Sequence, residues 1–221
     1  VLSLVLQNRI LIFNSAAMSA LAMLLLDRLP MDPFIHPMQP VLSGTPWLAI
    51  HVPIIMVSYA TLAIVTLFAH VVVGVEIFAP QRREMARRWS QLAYWYIHVG
   101  SILLIAGILT GSIWAASSWG RYWGWDPKEV WSLVAFLAYM AILHARFDKQ
   151  IEDFGVAVGS IAAFWMILMT YLGVNYVLAA GLHSYGFGSS NLVTIMMVIA
   201  GIEILFLGAG WVAVRRRLRA A

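Results

Sequence analysis

Six histidines are the residues of this chain with the widest chemical scope, since an imidazole can ligate a metal, carry a proton or accept one. The sequence contains no cysteine. That absence excludes disulfides, thiolate metal sites and thiol nucleophiles within the sequence. Metal ligation or proton handling by imidazole is therefore the chemistry to expect first. The histidines are His36, His51, His70, His98, His144 and His183.

A tryptophan-rich loop is the second feature with chemical potential. It covers residues 119–131, with the sequence WGRYWGWDPKEVW, and places Trp119, Tyr122, Trp123 and Trp125 within seven residues. Exposed aromatic side chains at this density are costly in water, so we expect the loop to lie against a flat apolar surface. A bilayer interface and a planar cofactor are two such surfaces. An interfacial aromatic belt spreads over many helix ends, so crowding in one loop favours the cofactor.

The end of this loop is typical of a helix start. Asp126 suits the N-cap, Pro127 the first helical position and Glu129 the third. We therefore expect Asp126 to cap a helix first, with contact to a ligand as a secondary role.

The composition is that of an integral membrane protein. The chain of 221 residues is 62% hydrophobic and 11% charged, with a mean hydropathy of +0.84, whereas soluble domains are about 25% charged. The net charge of +4 comes from clustered arginines, which indicate membrane topology more than a nucleic-acid surface. The first apolar stretch lacks a small-residue cleavage site, so no cleavable signal peptide is evident.

Six apolar segments are long enough, or nearly so, to span a membrane. The connections between them are short, so the sequence predicts a single membrane domain over residues 1–221. The predicted fold is an all-α bundle of six transmembrane helices, in which Gly107/Gly111 and Gly155/Gly159 suit close helix packing. The segments are residues 8–26, 49–77, 92–114, 129–147, 154–178 and 191–214.

Basic residues predict the orientation of this bundle. Eleven of the 14 lysines and arginines lie on one predicted side of the membrane and three on the other. Cytoplasmic segments carry the excess of basic residues. Both termini are therefore predicted to be cytoplasmic and the tryptophan-rich loop to lie on the outer face. The predicted outward segments are residues 27–48, 115–128 and 179–190.

This topology sorts the histidines into two tiers. The outer tier surrounds the tryptophan-rich loop, so His51 and His183 could hold a haem iron from both sides while the aromatics contact the macrocycle. Ionisable residues at membrane depth are functional candidates by default, although packing is the alternative, especially for His36 and His70. The outer tier is His36, His51 and His183, and the inner tier is His70, His98 and His144.

The tryptophan-rich loop resembles the "WWD" signature of haem-handling membrane proteins. Its surroundings are similar to the CcsA/ResC branch, the integral subunit of the System II cytochrome c synthase. The resemblance covers a core of about residues 47–190. It is carried by WGxYWxWDPKExW, by His51-Val52 with Ser58-Tyr59-Ala60, and by the segments 143–146 (LHAR), 171–175 (YLGVN) and 182–186 (LHSYG).

The resemblance implies a role for each candidate residue. His51 and His183 would be axial iron ligands of a haem b on the outer face, and His144 would ligate a second, inner haem. The family's opposite ligand for that inner haem comes from a CcsB/ResB-type partner, but our hypothesis is that His98 (or His70) supplies it in cis. The residues expected around the outer haem are Trp119, Tyr122, Trp123, Trp125 and Asp126.

The function implied by the resemblance is cytochrome c biogenesis. Haem would be carried across or within the membrane and presented on its outer face for covalent attachment to Cys-x-x-Cys-His motifs of apocytochrome c. The chain would be the haem-presenting subunit of a cytochrome c synthase (haem lyase) complex in the cytoplasmic (inner) or thylakoid membrane. The implied partners are a CcsB/ResB-type membrane subunit, apocytochrome c, a thioredoxin-like reductant protein and the lipid bilayer, with no nucleic acid.

Two other functions remain open at this point. One is a haem transporter or chaperone without attachment activity, and the other is a transmembrane electron-transfer subunit with two bis-histidine haems. The position of His183 among Gly181, Ser184 and Gly186 suits haem exchange better than permanent binding. The sequence assigns no task to Glu203 and does not identify the cytochrome that is served.

Overall fold

The computed structural model describes residues 44–184 and 191–220, with a few helical positions between 13 and 24. The chain divides into two compact units, Val1–Pro37 and Met38–Ala221. His36 and most of the predicted span 8–26 lie outside the described residues. The second unit carries the other five histidines.

Five long helices form the described part of the second unit, and each is long and apolar enough to cross a membrane. The described residues thus form an all-helical structure that is compatible with the predicted integral membrane protein; the sixth predicted helix, at 8–26, stays a prediction. A 3₁₀ turn at Pro80–Arg82 joins the first two helices. The helices are α1 (Trp47–Phe78), α2 (Arg83–Trp119), α3 (Pro127–Phe147), α4 (Asp153–Leu168), which continues as a π-helix (Met169–Leu178), and α5 (Leu192–Ala220).

Two helices extend well beyond their predicted apolar segments. α2 begins at Arg83 although the apolar segment begins at residue 92, and α5 continues through the arginine-rich tail. Arginine, glutamate, methionine and alanine are good helix formers, so the helix continues where the hydropathy ends. The connection predicted over 78–91 is therefore mostly helix.

The packing of α1 on α2 depends on small residues. A side chain at Gly107 would collide with Ile55 of α1, and a Cβ at Gly111 would lie 2.6 Å from Cε1 of His51. Ser58 Oγ donates a hydrogen bond of 2.8 Å to the carbonyl of Gly100. The predicted small-residue pair 107/111 is thus a close helix contact.

The second predicted glycine pair behaves differently at its two positions. A Cβ at Gly159 of α4 would lie 3.0 Å from Cγ1 of Ile142 in α3, whereas Gly155 faces Ile151 in the preceding turn. Only Gly159 therefore supports contact between two helices.

Contacts sort the helix ends into two groups. Asp126, which precedes α3, bonds to His183, which follows the π-helix, and His51 at the start of α1 contacts α2 towards its end. At the opposite end Glu76 of α1 pairs with Arg217 of α5. The tryptophan-rich loop lies at the first end, and the arginine-rich segments lie at the second.

A polar contact inside the spans joins α5 to α1. His70 Nε2 lies 2.9 Å from Glu203 Oε1, and the His70 ring stacks on Phe206 with centroids 5.7 Å apart. His70 Nδ1 donates to the Thr66 carbonyl at 2.7 Å. Both ring nitrogens are therefore engaged, and Glu203 is a partnered carboxyl.

Replacing His70 by leucine should lower the free energy of unfolding by about 1–3 kcal/mol, because Glu203 then keeps no hydrogen-bond partner among the described residues. The double variant His70→Leu/Glu203→Leu should recover most of that loss, since neither polar group remains. Thermal unfolding in detergent micelles measures both. Equal destabilisation of the single and double variants would contradict the pairing.

Candidate functional site

The two histidines predicted as the outer pair line one cavity. His51 comes from α1 and His183 from the segment after the π-helix. α2 and α3 complete the walls. The cavity lining includes Ile55, Tyr59, Ile108, Gly111, Ala115, Tyr122, Trp123, Lys128 and Glu129.

The ring of His51 is held by α2. Its Nδ1 lies 2.8 Å from the carbonyl of Gly107. A carbonyl can only accept, so Nδ1 carries the proton and Nε2 keeps its lone pair. No described residue forms a hydrogen bond with that Nε2. Gly111 leaves room for the ring, because a Cβ at this position would lie 2.6 Å from Cε1 of His51.

The ring of His183 is held by Asp126. Its Nδ1 donates to Asp126 Oδ1 at 3.0 Å, while the Leu182 N–H donates to Asp126 Oδ2 at 2.6 Å. Gly181 has a φ of +91°, and a side chain there would collide with the Asp126 carboxylate. The carboxylate therefore positions the whole segment 181–183 and leaves the lone pair of His183 Nε2 unused by the described residues.

Asp126 also caps α3, as predicted from the sequence. Its Oδ1 accepts from the Lys128 N–H at 3.0 Å, and Glu129 Oε2 accepts from the Asp126 N–H at 3.1 Å, which completes a capping box. Glu129 Oε2 also accepts from the Gly124 N–H at 2.8 Å and so closes the loop onto the helix. The additional bond to His183 was not predictable from the capping pattern.

Burial and hydrogen bonding determine the charges of this pair. Burial opposes ionisation of Asp126, but the bonds from Lys128 N–H, His183 and Leu182 N–H together lower the pKa of the carboxyl. Burial lowers the pKa of His183, and Asp126 only partly offsets that. His183 is therefore neutral near pH 7, which is the form that ligates a metal.

The predicted aromatic residues divide into three environments. Trp119 packs edge-on against His183 with centroids 4.6 Å apart, and Tyr122 and Trp123 line the cavity. Trp125 is 72% exposed, has a φ of +58° and contacts Trp123 edge-on. The aromatic side chains of the loop therefore do not form one continuous surface. Tyr122 and Trp123 are the two that line the cavity together with His51 and His183.

Trp114 belongs to the site although the sequence did not single it out. It is buried in α2, 4.6 Å from Trp119 and 5.9 Å from His183 between ring centroids. It lies inside an apolar helix, where an aromatic residue is ordinary core. Its contact with His183 and its position in the lining of the same cavity connect it to the site.

Lys128 is a second residue that the sequence did not assign to the site. It lines the cavity with both histidines, and its Nζ donates to the His183 carbonyl at 3.2 Å and to Asn175 Oδ1 at 3.5 Å. Asn175 lies in the π-helix, a conformation that often occurs at functional sites. The cavity therefore carries a cation beside two neutral imidazoles.

A second cleft lies between α2 and α3 and holds two of the inner histidines. His98 and His144 both line it. His98 Nδ1 donates to the Tyr94 carbonyl at 2.8 Å, and His144 Nδ1 donates to the Met140 carbonyl at 2.7 Å. His70 does not join them, since it is bonded to Glu203.

The donor set of the outer cavity suits haem better than a bare metal ion. Among the described residues, no group of three or more His, Asp or Glu is placed to hold a metal. A zinc ion in a protein takes three or four protein ligands, whereas haem iron already has four nitrogens and needs one or two axial ligands. Two imidazoles with unbonded Nε2 atoms fit that need.

Comparison with known proteins identifies a family and several relatives of this chain. Residues 2–183 match the family model of the Cytochrome C assembly protein. The cytochrome c biogenesis protein CcsA of Prochlorococcus marinus (strain NATL1A) is 34% identical over 183 residues, 68% of this chain and 58% of the relative. CcsA of Chlamydomonas reinhardtii is 36% identical over 158 residues, 68% of this chain and 43% of the relative. The chain thus spans less than two thirds of the length of these relatives.

Proposed function

This chain belongs to the cytochrome c assembly protein family, and on that premise we propose that it presents haem b for attachment to apocytochrome c, held between His51 and His183. The similarity to CcsA predicted from the motifs around the tryptophan-rich loop is confirmed. The haem is cargo, and the chain's contribution is to bind and orient it.

The observation that carries the proposal is the matched pair of imidazoles in one cavity. Each has its Nδ1 fixed by a separate acceptor, the Gly107 carbonyl for His51 and the Asp126 carboxylate for His183. Such second contacts set the tautomer and orient the ring of a metal-ligating histidine. Both Nε2 lone pairs are thereby left for an iron atom.

The remaining walls of the cavity suit the rest of a haem. Tyr122 and Trp123 offer aromatic surface, and Ile55 and Ile108 offer apolar surface. The ammonium of Lys128 in the same cavity would balance the charge of a haem propionate. These walls support haem over a smaller polar ligand.

Attachment needs positioning more than acid–base chemistry. Haem supplies two vinyl groups, and each thiol of the Cys-x-x-Cys-His motif adds across one of them, forming an S–C bond and moving its hydrogen to the neighbouring carbon. His51 and His183 would hold the vinyl edge where the thiols arrive, which is catalysis by proximity and orientation. The lack of cysteine in this chain agrees with presentation to another protein's thiols.

The proposed orientation places the tryptophan-rich end on the outer, periplasmic or lumenal, face. The arginine-rich segments at the other end favour the cytoplasmic side, with both termini there and with residues 8–26 as a sixth span of one membrane domain. The thiols must arrive reduced, so a thioredoxin-like reductant is a proposed partner. A CcsB/ResB-type subunit is the other proposed partner, in a cytoplasmic or thylakoid membrane.

The test is co-expression of this chain with the CcsB/ResB-type subunit and an apocytochrome reporter in a host without its own synthase. Haem that stays on the reporter through denaturing electrophoresis is expected only when this chain is present. A reporter with both cysteines replaced by serine is the matched control and should carry no covalent haem. Equal covalent haem without this chain would refute attachment by it, and haem-loaded chain beside an unmodified reporter would indicate delivery alone.

A further inference from the structure

We propose that a cleft at the arginine-rich end of the helices binds the headgroup of an aminophospholipid, which is a phosphodiester joined to a primary ammonium group. The cleft lies between the end of α1, the starts of α2 and α4 and the end of α5. It shares no described residue with the His51–His183 cavity, and lipid binding there requires no haem.

The cleft has the size and the position of a headgroup site. It encloses about 300 Å³, which is within the range of small-molecule sites in proteins. Trp211 on α5 is half exposed, and the Arg215 guanidinium carbon lies 4.2 Å from the centroid of its ring. Tryptophan concentrates at membrane–water interfaces and arginine on the cytoplasmic side. This end of α5 is therefore expected at the level of the lipid headgroups.

Most of the charged side chains that line the cleft are already paired. Four of the seven described charged residues in the lining belong to ion pairs, which are Glu76–Arg217, Glu84–Arg88 and Asp153–Arg146. Arg83, Arg87 and Glu152 complete the seven, and none of them forms an ion pair or a side-chain hydrogen bond with a described residue. The cleft thus presents two guanidinium groups and one carboxylate to a ligand.

Arg217 contributes a further donor to the cleft. Its Nη1 donates to Glu76 Oε2, and this contact joins α5 to α1. Its Nε is buried and has no hydrogen-bond partner among the described residues. Since buried polar side-chain atoms normally have a partner, a phosphate oxygen in the cleft could accept from this Nε.

The three unpaired side chains match the two charges of an aminophospholipid headgroup. A guanidinium presents a planar fork of N–H groups to phosphate oxygens, so Arg83 and Arg87, one helical turn apart on α2, suit the phosphodiester. An ammonium group donates up to three hydrogen bonds, so Glu152 suits the amine. Inorganic phosphate and an anionic glycerol headgroup would both leave Glu152 unpaired. A headgroup with both charges is the occupant that uses all three side chains.

The acyl chains of the lipid have an apolar surface to follow from the cleft. Phe154, Val214 and Leu218 are apolar members of its lining. Further along α5, large apolar side chains are exposed, such as Leu205 at 75%. α5 approaches α4 closely at Gly210, where a Cβ would lie 3.0 Å from Cε2 of Phe154. A lipid in the cleft would therefore contact the bundle where α5 joins it.

The test is titration of the full chain in detergent with single lipids, followed by native mass spectrometry. The probes are dioleoyl phosphatidylethanolamine, phosphatidylcholine and phosphatidylglycerol, which differ only in headgroup. Phosphatidylethanolamine should bind at least about tenfold more tightly than the other two, because a hydrogen bond to a charged group is worth about that much. Choline keeps the positive charge but has no N–H to donate, and glycerol lacks the charge.

Two variants separate the two charges of the site. Glu152→Gln should lower the affinity for phosphatidylethanolamine about tenfold without weakening phosphatidylglycerol, and no helix cap is lost because the Glu152 side chain does not cap α4. Arg83→Gln/Arg87→Gln should weaken both lipids. Arg82→Gln/Arg216→Gln is the matched control, since it removes the same charge from arginines outside the described lining, and it should keep the preference for phosphatidylethanolamine.

Equal affinity of the wild type for the three lipids would overturn the proposal, and this comparison does not require any variant to fold. A preference for phosphatidylglycerol that disappears in the control variant would indicate general attraction of anionic lipids to basic residues and would also refute a headgroup site. Binding of inorganic phosphate without any preference among the lipids would identify an anion site instead.

Discussion

Replacing His183 by alanine should reduce covalent haem on an apocytochrome reporter at least about tenfold, and replacing His51 should do the same. Loss of an orienting contact alone typically costs about 10–100-fold in metal affinity, and these variants remove the proposed ligand itself. The measurement is haem stain on the reporter, normalised to the amount of this chain in the membrane.

Added imidazole distinguishes ligation from folding in these variants. It should partly restore covalent haem in both alanine variants, because it can occupy the space left by the side chain and bind iron. His70→Gln is the matched control, since His70 is a histidine of α1 that bonds to Glu203, and it should behave like the wild type. Full activity of His51→Ala and His183→Ala would refute the outer site.

Replacing Asp126 by alanine should weaken haem binding at the outer site about 10–100-fold. This carboxylate accepts from His183 Nδ1, from the Leu182 N–H and from the Lys128 N–H. Alanine removes both oxygens that accept these three hydrogen bonds, so the segment 181–183 loses its attachment and α3 loses its cap. The cap alone is worth about 1 kcal/mol of stability.

A serine at position 126 separates these two roles. Serine is a good N-cap but is too short to reach the ring of His183. Asp126→Ser should therefore recover most of the thermal stability lost in Asp126→Ala while haem binding stays weak. Haem titration and thermal unfolding on the same preparations measure both. Wild-type haem affinity in Asp126→Ser would show that the His183 contact does not position the ligand.

The sequence by itself determined the class of protein, the approximate positions of the described helices and the start of α3. These features are local: hydropathy over about 20 residues identifies a span, and the Asp126-to-Glu129 pattern caps a helix within one turn. The motifs around the tryptophan-rich loop also determined the family, because short sequence motifs can be recognised without knowledge of which residues are in contact. The boundaries of α2 and α5 were missed where charged residues continued a helix.

Only the tertiary structure decided which histidines meet. Asp126 and His183 are 57 residues apart in sequence, and His70 and Glu203 are 133 apart, so no local pattern connects them. Helices that are apolar on all sides do not reveal which face packs against a neighbour. The structure therefore shows that His70 bonds to Glu203 and that Asp126 accepts a hydrogen bond from His183. It also places His98 and His144 in one cleft, away from His70.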